Sequence, residues 1–174
     1  CFDSFFNNPG VYEVDMCTSM KKIINEIGGG FKEPVKALQI GGPLGGVVPI
    51  KEVEKLNLDF QEFTAAGFML GHGSIVSIPK DFSMVEYIHH LFEFSAEESC
   101  GKCFPGRLGS YRGKEMFDQA INKSKKIPLK LLNELLITMK NGCLCALCGA
   151  IPVPIMNILK YFSDEMKNDI VQEN

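Results

Sequence analysis

Five of the seven cysteines in this chain fall in two short runs, and those runs are where the sequence offers chemistry. The first is Glu98-Ser99-Cys100-Gly101-Lys102-Cys103-Phe104-Pro105-Gly106-Arg107, and the second is Cys143-Leu144-Cys145-Ala146-Leu147-Cys148-Gly149. A CxxC pair on a tight turn lets two sulfurs converge on one metal centre, and soft thiolates suit zinc or an iron–sulfur cluster. Spacing alone does not separate the two. Lys102 and Arg107 flank the first pair, where a cation offsets thiolate charge and lowers a thiol pKa. A lone cysteine such as Cys17 is better read as a small buried hydrophobe. For the paired clusters the balance reverses in favour of a metal site. An odd cysteine count excludes complete internal disulfide pairing.

The elements that must position these thiols follow from pattern. The chain has 174 residues, 45% hydrophobic and 22% charged, which suffices for a core in one domain or two small ones. Its formal net charge of −3 argues against a nucleic-acid binder. Val11–Val14 alternates after a Pro9-Gly10 turn and reads as a strand. Thr18 caps a helix with Met20, Ile23, Ile24 and Ile27 on one face, and Gly28-Gly29-Gly30 stops it. Val35–Ile40 reads as a second strand, Gly41 to Pro49 as loop, and Ser74–Ile78 as a third strand closed by Pro79. The character changes near Asp81. Ser83 caps a helix carrying Met84, Val85, Ile88, Leu91 and Phe92. A second helix begins near Pro105 or Arg107 and reaches Asn122. A third follows Pro128 with Leu129, Leu132, Leu135, Leu136 and Met139, and a last one runs from about Pro154 to Lys167. The expected fold class is α+β: a small β-grasp-like domain over 1–80, then a four-helix bundle over 81–174 carrying the cysteines. The longest uncharged run, Asn141–Leu159, is broken by Gly142, Gly149, Pro152 and Pro154, so no direct membrane insertion is expected. No signal peptide is visible, and a cytoplasmic setting is the default. The first residue is Cys, so a processed product or excised fragment is expected.

The segment Glu98-Ser99-Cys100-Gly101-Lys102-Cys103-x-Pro105-x-Arg107-x-Gly109 resembles the ESCGxCxPCRxG signature of the flavoprotein (F) subunit of NADH:quinone oxidoreductase and of related NAD-linked hydrogenase and formate dehydrogenase subunits. Cys145-Ala146-Leu147-Cys148-Gly149-Ala150, then Pro154 and Leu159-x-x-Phe162-x-Asp164-Glu165, is similar to a later segment of the same family. Pro9–Val14 and Lys36–Gly46 resemble its soluble-ligand-binding β-grasp domain, and Gly67–Gly73 its GxxxGSG stretch. The resemblance covers nearly the whole chain in order and implies the C-terminal half of such a subunit. The family's FMN- and NADH-binding domain is missing from this chain. No strand–GxGxxG–helix unit occurs, so FMN and NAD enter only through that missing N-terminal domain, and neither Gly28–Gly30 nor Gly41–Gly46 is given a nucleotide role.

The resemblance implies a 4Fe–4S cluster held by three cysteines in CxxCxxC and a fourth further along. Carried over, Cys100 and Cys103 are the first two ligands and Cys145 the fourth, while the third position is Gly106, which has no side chain. The favoured ligand set is Cys100, Cys103, Cys145 and Cys148, with Cys143 the weaker candidate. A three-iron (3Fe–4S) cluster, zinc or an empty site are the alternatives that Gly106 raises. No catalytic residue is assigned. The expected function is an electron-transfer module, taking electrons from flavin through a 4Fe–4S cluster to partner subunits, with Lys102 and Arg107 raising the cluster potential. By itself the chain is not expected to oxidise NADH. The implied partners are other subunits of an NADH-oxidising complex at the inner face of a membrane, including a thioredoxin-like 2Fe–2S subunit. The rival readings are a non-redox binding or scaffold module and a structural zinc protein. His72, His89 and His90 read as structural or surface histidines, and Lys123, Lys125, Lys126 and Lys130 as a solvated basic patch.

Overall fold

Val35–Ile40 forms strand β1 and is the central strand of a three-stranded antiparallel sheet ordered β2-β1-β3. Its neighbours are β2 (Gly46–Pro49) and β3 (Ile75–Pro79). Leu38 lies opposite Val48 on one side and Ser77 on the other, and the register shifts between Val35 and Ala37. Ala37, Leu38, Gln39 and Ile40 are all buried, so both faces of β1 are covered and its burial does not alternate. The computed structural model describes residues 1–171.

The chain divides into two units, Cys1–Asp81 and Phe82–Asn174. In the first, the sheet is accompanied by α1 (Met20–Lys22), which runs on as a π-helical turn over Ile23–Ile27, by α2 (Ile50–Val53) and by α3 (Phe60–Ala65). Phe6, Met20, Ile24, Leu38, Ile40, Phe63 and Ile78 are among its largest fully buried side chains. The N-terminal segment is tied to β3 by Asp3, whose carboxylate accepts hydrogen bonds from the Ser77 backbone N–H and from its hydroxyl at 3.1 Å.

Four expectations for this unit are corrected. Cys17 is exposed rather than buried, and Ser19 rather than Thr18 is the N-cap of α1. Val11–Val14 is not a strand. Val11 is 84% exposed, and Phe2 instead bridges Gly10 and Ile75, so the N-terminal residues take the place that segment would have filled. Gly46–Pro49 is not loop but an edge strand, where Pro49 lies at the strand's end and Val47 and Val48 are buried. The preceding glycines serve a close crossing of two backbones. A Cβ on Gly41 would stand 2.5 Å from the Leu70 carbonyl oxygen and 2.8 Å from Gly71 Cα.

The second unit is helical: α4 (Met84–Glu98), α5 (Phe104–Ile121), α6 (Leu129–Gly142), α7 (Ala146–Ala150) and α8 (Pro152–Tyr161). The Ser83 hydroxyl accepts from Glu86 N–H at the start of α4. The last helix is shorter than its pattern suggests. It ends at Tyr161, followed by a 3₁₀ turn over Ser163–Met166. A two-residue parallel pairing, β4 (Ile127–Pro128) with β5 (Ile170–Val171), closes the unit. The expected α+β class thus holds: a small antiparallel sheet, then helices.

Helix α5 packs against both α4 and α6, and glycines make those crossings close. Gly106, Gly109 and Gly113 are buried at i, i+3 and i+7 on one face. Added Cβ atoms would meet Phe92 of α4 at 2.2 Å for Gly113, Met139 of α6 at 2.8 Å for Gly109, and the sulfurs of Cys103 and Cys148 at 2.8 and 3.2 Å for Gly106.

Candidate metal centre

Cys103 is the N-cap of α5, with extended backbone (φ −90°, ψ 145°), and Pro105 follows in the first helical turn, which has no need of its N–H. The CxxC turn before it bends at Gly101 (φ +69°), in the left-handed region that a residue with a Cβ adopts only at a cost. Two bonds hold the turn. Gly101 N–H donates to the Ser99 hydroxyl at 3.3 Å, and the Arg107 guanidinium donates to the Gly101 carbonyl at 3.3 Å while lying 5.5 Å over the Phe104 ring. Arg107 thereby straps the turn to the first turn of its own helix.

The second cysteine run spans the junction of two helices. Cys143 is the C-cap of α6, its N–H bonded to the Met139 carbonyl at 3.1 Å. Cys145 is the N-cap of α7, and Cys148 lies within α7 at 2% exposure. Ser95 of α4, fully buried, donates to Cys148 Sγ at 3.6 Å.

The thiols act on one another. Burial first, then the charges of Cys103, Cys148 and Cys145, push Cys143 up to about 12. Cys103 moves the other way. The backbone N–H groups of Leu144 and Gly106 hold its pKa below the ordinary thiol value. The Cys103 and Cys148 sulfurs converge on residue 106, at 2.8 and 3.2 Å from where its Cβ would stand, and Cys143 feels the charge of both. Cys100 stays exposed at the head of the CxxC turn, and the neighbours acting most strongly on Cys143 do not include it. Among the described residues, no three His, Cys, Asp or Glu side chains are drawn together as for a single metal ion.

Comparison with known proteins places the cysteine-bearing stretch. Residues 86–169 match the family model described as the NADH-ubiquinone oxidoreductase-F iron-sulfur binding region. This stretch is an F-type iron–sulfur binding region. The chain as a whole resembles the C-terminal part of the F protein. It is 34% identical over 161 residues to the NADP-reducing hydrogenase subunit HndC of Solidesulfovibrio fructosivorans, covering 91% of this chain and 33% of the relative. It is 30% identical over 174 residues to the F subunit of NADH-quinone oxidoreductase from Rickettsia bellii, covering 98% of this chain and 42% of the relative. It thus spans about a third to two fifths of the relatives it matches. Its fold is that of a chain in the crystal structure of NAD+-reducing [NiFe]-hydrogenase in the H2-reduced state, with a TM-score of 0.86 at 20% identity, covering 100% of this chain and 29% of the other.

The donor set of this F-type iron–sulfur region suits the group its family is named for. Thiols arrive from two separate turns, the Cys103 and Cys148 sulfurs converge on residue 106, and the Ser95 hydroxyl donates to Cys148, the kind of hydrogen bond that orients a bound thiolate and tunes its potential. A polynuclear cluster interposes its own atoms between ligands, so its thiolates stand further apart than those around one ion.

Sequence reasoning missed the Gly106–Gly109–Gly113 stripe, although its helical spacing was there to be read. It also missed Ser95, which no motif marks. The exposed apolar face of Phe104 (66%), Leu108 (49%) and Tyr111 (60%), with Leu144 (84%) beside the thiols, was likewise unread, although its spacing of i, i+4, i+7 is visible in the sequence. The histidines keep structural or surface roles: His72 and His90 are exposed, and His89 Nε2 lies 2.7 Å from Asp118 Oδ1. The lysines of the basic patch are exposed.

Proposed function

We propose that this chain is the electron-relay part of an F-type flavoprotein subunit, holding a 4Fe–4S cluster through Cys100, Cys103, Cys145 and Cys148. The observation that carries this reading is the convergence of the Cys103 and Cys148 sulfurs on the first turn of α5, inside the region its family is named for. A bound 4Fe–4S cluster supplies one-electron storage and transfer there.

The chain's own residues do the rest. Leu144 and Gly106 N–H groups favour thiolate at Cys103. The Arg107 guanidinium adds positive charge beside the CxxC turn and fixes its bend, and Lys102 adds a second cation. Fully buried Ser95 and nearly buried Cys148 keep water from one side of the site. Phe104, Leu108, Tyr111 and Leu144 give the open side an apolar rim that a partner subunit can cover. On this reading flavin and nicotinamide are bound by residues outside this chain, and residues 1–80 are a soluble-ligand-binding β-grasp-like domain. The partners are other subunits of an NADH-oxidising complex, among them a thioredoxin-like 2Fe–2S subunit, on the cytoplasmic side of a membrane. No helix among the described residues is long and apolar enough to cross one.

Iron and acid-labile sulfide assays after anaerobic purification and reconstitution test the reading. About four of each per chain is the expected result. A folded chain that takes up neither overturns it.

A further inference from the structure

We propose that Gly106 and Cys148 work as a pair: Cys148, reaching in from α7, supplies the sulfur at the locus in front of residue 106, Gly106 is the gap that admits it, and Ser95 is the positioning residue that fixes it. The inference rests on the cluster reading above and deepens it.

The geometry at residue 106 is specific. A Cβ there would lie 2.8 Å from Cys103 Sγ and 3.2 Å from both Cβ and Sγ of Cys148. Both sulfurs therefore border the volume that a side chain on residue 106 would occupy. The next two glycines on the same face of α5 each receive an apolar side chain, Met139 at Gly109 and Phe92 at Gly113. At Gly106 the incoming groups are thiols. The surrounding hydrogen bonds fix the same spot. The Gly106 carbonyl accepts from the buried Ser110 hydroxyl at 2.7 Å. Ser95 is fully buried, and its hydroxyl is directed at Cys148 Sγ, 3.6 Å away. A thiol filling apolar space needs no such donor. A thiolate bound to a metal centre is oriented, and its potential set, by one.

Locus and residue can be separated by moving the sulfur. In the full chain, reconstituted anaerobically, Cys148→Ala is expected to lose iron relative to the parent and to change its EPR spectrum. Gly106→Cys alone gains nothing, because its new Cβ meets both existing sulfurs. The double variant Gly106→Cys/Cys148→Ala regains iron and a parent-like spectrum: the Cys148 sulfur no longer contests the space, the Cys103 side chain has only to turn away from the new Cβ, and a sulfur reaches the same locus from α5. A purely structural Cys148 would not be rescued this way. Ser95→Ala keeps its iron but shifts the midpoint potential to more negative values.

Several results overturn the pairing while leaving the cluster reading intact. Parent-like iron and EPR in Cys148→Ala is one. A folded double variant as depleted as Cys148→Ala is another. Should the double variant fail to fold, Cys148→Ser decides: parent-like iron and EPR in it overturn the pairing, and iron loss in a folded chain supports it. An unchanged potential in Ser95→Ala removes Ser95 from the account. A parent chain that takes up no iron at all overturns both readings together.

Discussion

Gly113→Ala puts one methyl group into the crossing of α4 and α5. The added carbon would stand 2.2 Å from Phe92 Cε1, 2.3 Å from Cδ1 and 2.5 Å from Cζ. Carbon atoms rest at about 3.5–4.0 Å, so the ring must retreat by more than about 1 Å. It has nowhere to go. Phe92 is fully buried, and its ring lies 5.8 Å from that of Phe117, itself fully buried. Overpacking of this kind costs about 1–3 kcal/mol. Replacing a helical glycine by alanine returns about 0.5–1 kcal/mol. The net expectation is a loss of about 1–2 kcal/mol. With a mid-range urea m-value of about 2 kcal/mol/M, the midpoint falls by about 0.5–1 M, read from the helical circular dichroism signal. Gly109→Ala is the internal comparison. Its Cβ meets Met139 Cγ at 2.8 Å and Sδ at 3.0 Å, on a flexible side chain that can yield, so its cost is smaller. A Gly113→Ala variant as stable as the parent, or less damaging than Gly109→Ala, would refute the reading of the stripe as the device that closes the helices.

Three further outcomes follow from the contacts described. Arg107→Ala removes both the bond to the Gly101 carbonyl and a cation beside the thiols, so the midpoint potential of the reconstituted chain moves to more negative values; an unchanged potential in a redox titration contradicts that role. Asp118 is raised by burial but lowered further by Lys114, at 3.2 Å, and His89, at 2.7 Å, with Glu93 sharing the lysine at 3.3 Å. Its folded pKa is depressed, so its contribution is present above the ordinary carboxylate pKa and lost as pH falls through the lower folded value. Asp118→Asn should flatten the acid limb of stability below about pH 4, and a limb identical to the parent's in acid titration of the folded signal counts against it. Asp3→Ala leaves Ser77 N–H and hydroxyl without their acceptor, at a cost of about 1–3 kcal/mol to the first unit, and hydrogen exchange at Ser77 should accelerate. No acceleration would show that the carboxylate does not hold the segment.

Local signals made much of the fold legible. Val35–Ile40 could be read because a six-residue apolar-rich run ends at Gly41-Gly42-Pro43, and α4 because Ser83 caps an apolar stripe. Val11–Val14 misled because its alternation is a local pattern, whereas strand formation depends on a partner edge, and Phe2 takes the bridge to Ile75 from outside the window. Val47 and Val48 were hidden between glycines and a proline that normally mark loop, and only pairing with β1 makes them strand. At the site, the cysteine runs and the turn at Gly101 were plain in the sequence. The meeting of Cys148 with Gly106 was not, because they lie on different helices and only their packing brings them together. The resemblance ranks Cys143 below Cys148, yet Cys143 feels the charges of Cys103, Cys148 and Cys145. Ser95 had no signal at all, since its partner is 53 residues away.

The central claim is that these thiolates hold a redox-active cluster. EPR spectra of the anaerobically reconstituted chain, recorded before and after dithionite, test it most directly. The account predicts a silent oxidised sample and an iron–sulfur signal that appears on reduction. A three-iron signal in the oxidised sample would contradict four-thiolate binding, and silence in both states from an iron-free, folded chain would contradict the claim outright.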